Sequence, residues 1–395
     1  MKYCVLIVDG AAGWPLPERG GKTCLELAET PNLDALAKEG MSGLVKTVPE
    51  GMEPSSACAC MSLLGYDPKI YYKGRAAIEA VSMGVAIGEG EVVFRCNLVT
   101  IEDGRMESYC AGHIGTDEAE KLIATLNDRL GGSDVRFYPG VSYRHLLKLK
   151  GQEETARAMC TPPHDISGKP IAEYLPQGEG SRLLNQLMDE SVAVLEKHPV
   201  NEARRAKGDA PANMIWLFWG SGQVPQMPAF EKVYGLKAAL TSGVDLLRGL
   251  GQMMAMEILE IPGITDGLDN DFKGQTKGAL ESLDRNDLVV IHIEAPDEAG
   301  HSGSIDDKVE AIQRVDSEVV SRLMSYELGD LRLLVMPDHP TPIEIKTHVA
   351  EPVPFILWGP GFSRNRASRF TEAEAKKTGL FIDKGYNIMS KLVGS

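Results

Sequence analysis

The chain predicts an α/β fold: a mainly parallel sheet flanked by helices, with a smaller α+β domain inserted into it. Three observations carry that expectation. Tyr3 to Val8, Leu288 to Ile293 and Leu331 to Met336 are short apolar runs, the last broken only by Arg332. Such runs suit strands buried on both faces. Each run delivers acid at or just past its end, at Asp9, at Glu294 and Asp297, and at Asp338. From about residue 80 to 210 the character changes to short strands, amphipathic helices and frequent turns, as expected of an insertion.

The acidic ends point to chemistry, because open α/β sheets bind ligands at the carboxyl ends of their strands. Pro337 turns the chain so that Asp338 and His339 stand side by side. Asp297 and His301 are four apart, a spacing that lets both side chains meet on one helical turn. His348 adds a third imidazole from a chain with eight His in all. A single Asp-His pair after a strand is more often a capped turn. Two pairs and a further His suit two divalent cations bridged by an oxyanion. His292, inside the second apolar run, reads as a packed core residue.

Bulk properties bound the rest. A chain of 395 residues exceeds one ordinary core, so two domains are expected. The net charge of −15 argues against a nucleic-acid or membrane-surface partner, and an anionic substrate would need a locally positive pocket. No stretch approaches the ~18 apolar residues of a membrane-spanning helix. The N-terminal apolar run ends in acid too soon for a signal peptide. The seven cysteines form no C-x-x-C pair, so reduced thiols in a cytoplasm are expected, with Cys58 and Cys60 packing in a helix.

In chain order, a Gly- and Pro-rich loop spans Gly10 to Thr30. Its Gly20-Gly21-Lys22-Thr23 resembles the tail of a phosphate-binding loop, but the motif's first glycine would fall at Leu16, so the match fails. Thr30 to Gly40 reads as a helix capped by Thr30, with Pro31 in its first turn and Gly40 closing it. Leu44 to Val48 reads as a strand. Ser55 and Ser56 precede a small-residue helix, where a serine is either an N-cap or a nucleophile at a helix N-terminus. Arg75 sits in a tight turn.

Within the insertion, Val92 to Thr100 and Val141 to Lys148 read as strands, and Thr116 to Leu130 and Gly180 to Lys197 as helices. Its polar candidates are Asn97, His113, Arg144, His145, His164 and Asp165. Glu202 to Ala212 reads as the exit linker. The core then resumes with a strand at Met214 to Trp219, a strand at Leu236 to Leu240 and a helix at Val244 to Leu250. Helices follow at Thr276 to Leu283, after Phe272-Lys273-Gly274, and at Ile305 to Ser325. Pro352 to Trp358 reads as the last strand and Ile388 to Leu392 as a closing helix. The expected domains are therefore 1–79 with 211–395 as a discontinuous core, and 80–210 as the insert.

Asp9-Gly10, the Ser56 helix, Asp297-x-x-Gly300-His301, Asp338-His339 and His348, in this order, resemble the alkaline phosphatase superfamily. Within it, Gly65-Tyr66-Asp67-Pro68, Tyr143-Arg144-His145 and the run Glu294 to His301 look like the archaeal-type, cofactor-independent (2,3-bisphosphoglycerate-independent) phosphoglycerate mutases. The resemblance implies an alkaline-phosphatase-like core and an isomerase that interconverts 3- and 2-phosphoglycerate through a phosphoserine. It implies two divalent ions, usually Mn²⁺ or Mg²⁺. Asp9, Ser56, Asp338 and His339 would hold one ion, and Asp297, His301 and His348 the other. Ser56 would be the nucleophile, although Pro54-Ser55-Ser56-Ala57 stands where the family pattern reads Pro-Gly-Ser-Asp. The insert would be a lid that excludes water. Arg75, Asn97, His113, Arg144, His145 and Lys273 are the candidates for holding carboxylate or phosphate. A small phosphorylated substrate is the expected partner, with a homo-oligomer left open. A phosphotransferase with another acceptor, such as a homoserine-kinase-like enzyme, or a phosphatase, would share the fold and metals. A non-catalytic binding protein would be expected to have lost ligands, and here every position is filled.

Overall fold

Six consecutive residues of strand β1 (Lys2–Val8) are buried, because it lies in the middle of a sheet covered on both faces. Strands are numbered along the chain. The other members of this sheet are β2 (Met41–Val45), β8 (Ala238–Thr241), β9 (Glu257–Ile258), β10 (Leu288–Ile293), β11 (Leu331–Met336), β12 (Val353–Trp358) and β13 (Phe381–Ile382). Their order is β13-β2-β12-β11-β1-β10-β8-β9. Only β12 runs against the rest. Val8 pairs with Ile293 and Ile7 with Met336, so β10, β1 and β11 end level with one another. The residues that follow them leave at one edge, which is what brings the acids of three distant segments together.

This computed structural model describes residues 1–223, 226–326 and 330–394. It divides into two units, Met1–Tyr72 with Gln226–Ser395, and Lys73–Pro225. The second unit has its own sheet of β3 (Glu91–Glu102), β4 (Arg105–Ser108), β5 (Val135–Tyr138), β6 (Arg144–Lys150) and β7 (Met214–Ser221), with the long β3 pairing β4, β6 and β7. Helices Thr116–Leu130 and Ser181–Leu195 bury Ala119, Leu122, Ile123 and Leu126, and Leu184, Leu187 and Met188, at helical spacing beside Phe94, Phe137 and Trp216.

Two expectations change here. β7 was assigned to the core, yet it pairs antiparallel with β3 in the second sheet. An apolar run says that a strand is buried, not which sheet buries it. The expected linker Glu202 to Ala212 is largely helix, Pro199–Lys207. His198 accepts from the Val200 N–H at 3.2 Å, Pro199 fits the first turn, and Gly208 closes the helix at φ 83°. Its buried Asn201 bonds the carbonyls of Leu195 and Ala212 and the N–H of Ala212, so the segment is packed.

A third correction concerns helix Pro31–Glu39. Thr30 makes no side-chain cap, and its buried hydroxyl has no partner among the described residues. The helix start is capped instead by Asp316, whose carboxylate accepts from the N–H groups of Asn32 (3.3 Å) and Leu33 (2.7 Å). Asp316 lies in a π-helical stretch, Val315–Val320, that interrupts the long helix from Ile305 to Met324. Asp316→Ala is expected to lower stability by about 0.5–2 kcal/mol, the range for a lost cap. Thr30→Val, which removes an unpaired buried hydroxyl and keeps its shape, is expected to be neutral or stabilising. Urea midpoints of the two variants should therefore move apart.

Candidate metal centre

Asp9 leaves β1 into Gly10, which adopts φ 60°. A Cβ there would also collide with the side chains of Asp297 and Thr341, so only glycine serves. The Gly10 N–H donates to Asp338 Oδ1 at 3.2 Å, and His339 N–H donates to the same oxygen at 2.7 Å. Thr47 Oγ1 holds the Asp338 carbonyl at 2.6 Å. Asp297 and His301 lie on helix Ala295–Ser302, with Pro296 in its first turn. His301 Nδ1 donates to the Lys346 carbonyl at 2.9 Å, so Nε2 is the ring nitrogen that faces the site. Thr341 Oγ1 donates to Asp297 Oδ1. The buried Lys308 ammonium bonds the carbonyls of Ala12 (3.2 Å) and Thr341 (2.7 Å), stapling the loops after β1 and β11.

Two donor clusters result. In one, His301 Nε2 lies 3.1 Å from Asp297 Oδ2 and 2.9 Å from His348 Nε2, which is 3.5 Å from Asp297 Oδ2. In the other, His339 Nε2 lies 3.2 Å from Asp338 Oδ2, 3.7 Å from Asp9 Oδ1 and 3.1 Å from Ser56 Oγ. The rings of His339 and His348 are 3.9 Å apart between centroids, so the clusters adjoin. The two serines divide their roles. Ser55 is the N-cap, accepting from the Cys58 N–H at 3.4 Å. Ser56 is the first residue of helix Ser56–Leu63, and its buried hydroxyl points to His339.

The electrostatics are unbalanced. Burial first, then Asp338, Glu294 and Asp297, push the Asp9 carboxyl well above the usual range. Burial and Asp297 do the same to Glu294. Burial would also raise Asp297, but His301 and His348 outweigh it and hold Asp297 well below its ordinary value. Burial opposes a charged His301, yet Asp297 carries it to about 10. Burial lowers His339 to about 4 and His292 to about 4, so both imidazoles are neutral.

The remaining candidates lie elsewhere. In the second unit, Glu79 is buried between Arg75, which donates from Nε at 2.9 Å, and Arg95. Burial favours the neutral acid, but the two guanidiniums hold Glu79 below its usual value. The Arg75 guanidinium stacks on Trp219 at 4.4 Å. Arg95 also bonds Asn97 Oδ1 at 3.1 Å. His113 (φ 53°) and Trp219 (φ 51°) occupy the left-handed region, a costly conformation common at binding sites. Tyr143 touches both His113 and Arg144. His145 is buried, its Nδ1 accepting from the Gly140 N–H at 3.0 Å, and burial lowers it to about 3. Lys273, in the first unit, is exposed on a groove with Lys277 and Arg322 and does not join the donor clusters. Its neighbour Gln275 points inward, bonding the His292 carbonyl at 3.0 Å.

A family model described as 2,3-bisphosphoglycerate-independent phosphoglycerate mutase matches residues 37–201. A curated relative of that name from Methanosarcina acetivorans is 47% identical across the full length of both chains. A Geobacter sulfurreducens relative carrying the same name as "probable" is 43% identical, also over both full lengths. The chain belongs to the 2,3-bisphosphoglycerate-independent phosphoglycerate mutase family. Among solved structures, a Pyrococcus horikoshii protein matches with a TM-score of 0.81 at 27% identity, covering 100% of this chain and 96% of that one. The cofactor-independent phosphoglycerate mutase of Thermoplasma acidophilum matches at 0.62 and 25%, covering 100% and 99%. Among the described residues no helix is long and apolar enough to cross a membrane.

The family's fold implies divalent metal, and the donor set fits it. Carboxylates and imidazoles are ligands for first-row and alkaline-earth dications. Among the described residues, Asp9 Oδ1 and Glu294 Oε2 are buried without a hydrogen-bond partner, and such atoms are costly unless something binds them. The carboxyls that repel one another at Asp9 are those a cation would reconcile. Among the described residues, donor atoms come together in three groups: Asp297, His301 and His348; Asp9, Asp338 and His339; and Asp9, His292 and Glu294. The third contains His292, which sequence reasoning had consigned to the core, and Glu294, which it had noted at a strand end without giving it a ligand role. Neither role could be read locally, because the partners are distant in sequence.

Proposed function

We propose that the chain interconverts 3-phosphoglycerate and 2-phosphoglycerate without 2,3-bisphosphoglycerate, by passing the phosphoryl group through Ser56, in the cytoplasm. The observation that carries this reading is the Ser56 hydroxyl, 3.1 Å from His339 Nε2 at the start of a helix. Two divalent cations, Mn²⁺ or Mg²⁺, held by Asp9, Ser56, Asp338 and His339 and by Asp297, His301 and His348, would neutralise the phosphate and favour the serine alkoxide when bound. Ser56 Oγ attacks phosphorus in line as the bond to the glycerate oxygen breaks. The serine's proton ends on that departing oxygen. The other glycerate hydroxyl then attacks the phosphoserine, returns a proton to Ser56, and leaves as the isomer. The first N–H groups and dipole of helix Ser56–Leu63 favour the negative charge at Ser56.

Arg75, His113 and Arg144 are the proposed carboxylate- and phosphate-holding groups of the second unit, with Asn97 in support through Arg95. Glu79 and Trp219 clamp Arg75, so its planar fork is ordered before substrate arrives. His145, neutral and engaged with the turn at Gly140, is proposed to shape that unit and not to bind anion. The test is ³¹P NMR of purified protein with Mn²⁺ and 3-phosphoglycerate, with and without 2,3-bisphosphoglycerate, beside homoserine plus ATP. Conversion in both mutase arms is expected. Phosphorylation of homoserine with no isomerisation would transfer the assignment to a phosphotransferase.

A further inference from the structure

The two oxygens of Asp9 meet different surroundings. Oδ1 faces the donor cluster, 3.7 Å from His339 Nε2, with no hydrogen bond. Oδ2 is held by His292 Nε2 at 2.7 Å. The other nitrogen of that ring, Nδ1, lies 2.9 Å from Ser242 Oγ, and Ser242 Oγ accepts from the Val244 N–H at 3.0 Å. Asp9, His292 and Ser242 are all buried. As a cation ligand Asp9 is ionised, and an ionised carboxylate only accepts, so in that state the ring proton is on Nε2. Nδ1 of a neutral imidazole then accepts, and Ser242, already accepting from Val244, supplies its hydroxyl proton. Every bond in the series Val244, Ser242, His292, Asp9 therefore points the same way.

We propose that His292 is a positioning residue for the cation site: its Nε2–H fixes Asp9 Oδ2 so that Oδ1 is presented to the cation, and Ser242 fixes the tautomer that makes this so. The proposal rests on the two-cation reading above. It also decides the third donor group, Asp9 with His292 and Glu294. The nitrogen that would bind a cation there carries a proton, so that group is no third site. Gln275, bonded to the His292 carbonyl at 3.0 Å and to Asn270, steadies the backbone at this point. Hydrogen-bond partners of metal ligands typically carry 10–100-fold in metal affinity.

The experiment is calorimetric titration of the full-length, metal-stripped protein with Mn²⁺, with melting temperatures of the metal-free proteins, for wild type, His292→Leu, His292→Gln and Ser242→Ala. Wild type should bind two ions. His292→Leu should weaken one of them by about 10–100-fold. His292→Gln, whose amide N–H can take the place of Nε2–H, should recover most of that loss. Ser242→Ala should show a smaller loss. An unchanged Mn²⁺ affinity in His292→Leu, whatever its melting temperature, would reduce His292 to packing and overturn the proposal. So would His292→Gln binding as weakly as His292→Leu, or a third ion in wild type that the His292 variants lose. If His292→Leu does not fold, undiminished affinity in Ser242→Ala has the same force. Wild type that binds no Mn²⁺ would instead sink the two-cation reading itself.

Discussion

Ser56→Ala is expected to lower mutase turnover by roughly four to six orders of magnitude, the scale seen when a catalytic nucleophile is removed. The protein should still fold. Ser55, not Ser56, accepts the capping hydrogen bond from Cys58, so the helix start survives the change. Ser55→Ala is the internal control. It should cost about 1 kcal/mol of stability through the lost cap and leave turnover within a few-fold of wild type. The two serines are adjacent, share a helix end and differ in what they face, so the contrast isolates nucleophilicity from structure. Quenched enzyme incubated with labelled 3-phosphoglycerate should carry its label on Ser56. A Ser56→Ala enzyme with near-normal turnover would exclude the phosphoserine route.

Stripping the protein with a chelator should abolish turnover, and Mn²⁺ should restore it. The second readout is stability. Burial, and then the crowding of Asp9 by Asp338, Glu294 and Asp297, raise the Asp9 carboxyl well above its ordinary value. A cation that binds the folded chain at a thousand times its dissociation constant adds about 4 kcal/mol. For a unit of this size that corresponds to a melting shift on the order of 10 °C. Full activity after exhaustive chelation, with no Mn²⁺-dependent shift, would remove the basis of the metal reading.

The parts legible in the sequence were those set by local pattern. β10 and β11 were delimited correctly because strands buried on both faces write unbroken apolar runs. Helix Thr116–Leu130 was legible from its amphipathic spacing, and Asp297 with His301 from a four-residue interval. What escaped depends on partners far along the chain. Thr30 looked like a cap, but the cap is Asp316, 284 positions from Asn32. His292 looked like packing because Asp9 and Ser242, which give it a task, are 283 and 50 positions away. β7 had the right composition for either sheet, and only its pairing with β3 decides. The helix Pro199–Lys207 was mistaken for a linker because a short helix with a charged surface carries little apolar signal.

The central place of β1 has a consequence for how the protein is made. Both of its neighbours, β10 and β11, come from the last third of the chain. The Asp9 to His292 contact spans 283 positions, which the ribosome covers in roughly 15 to 60 s. Throughout that interval a strand that the finished sheet buries on both faces exists without either flanking strand, with both backbone edges open to any other chain. The second unit meanwhile finds all of its strands within its own stretch, so it can close early. Translation therefore delivers a finished module tethered to an unfinished one, whose sheet can close only when its last strands have emerged.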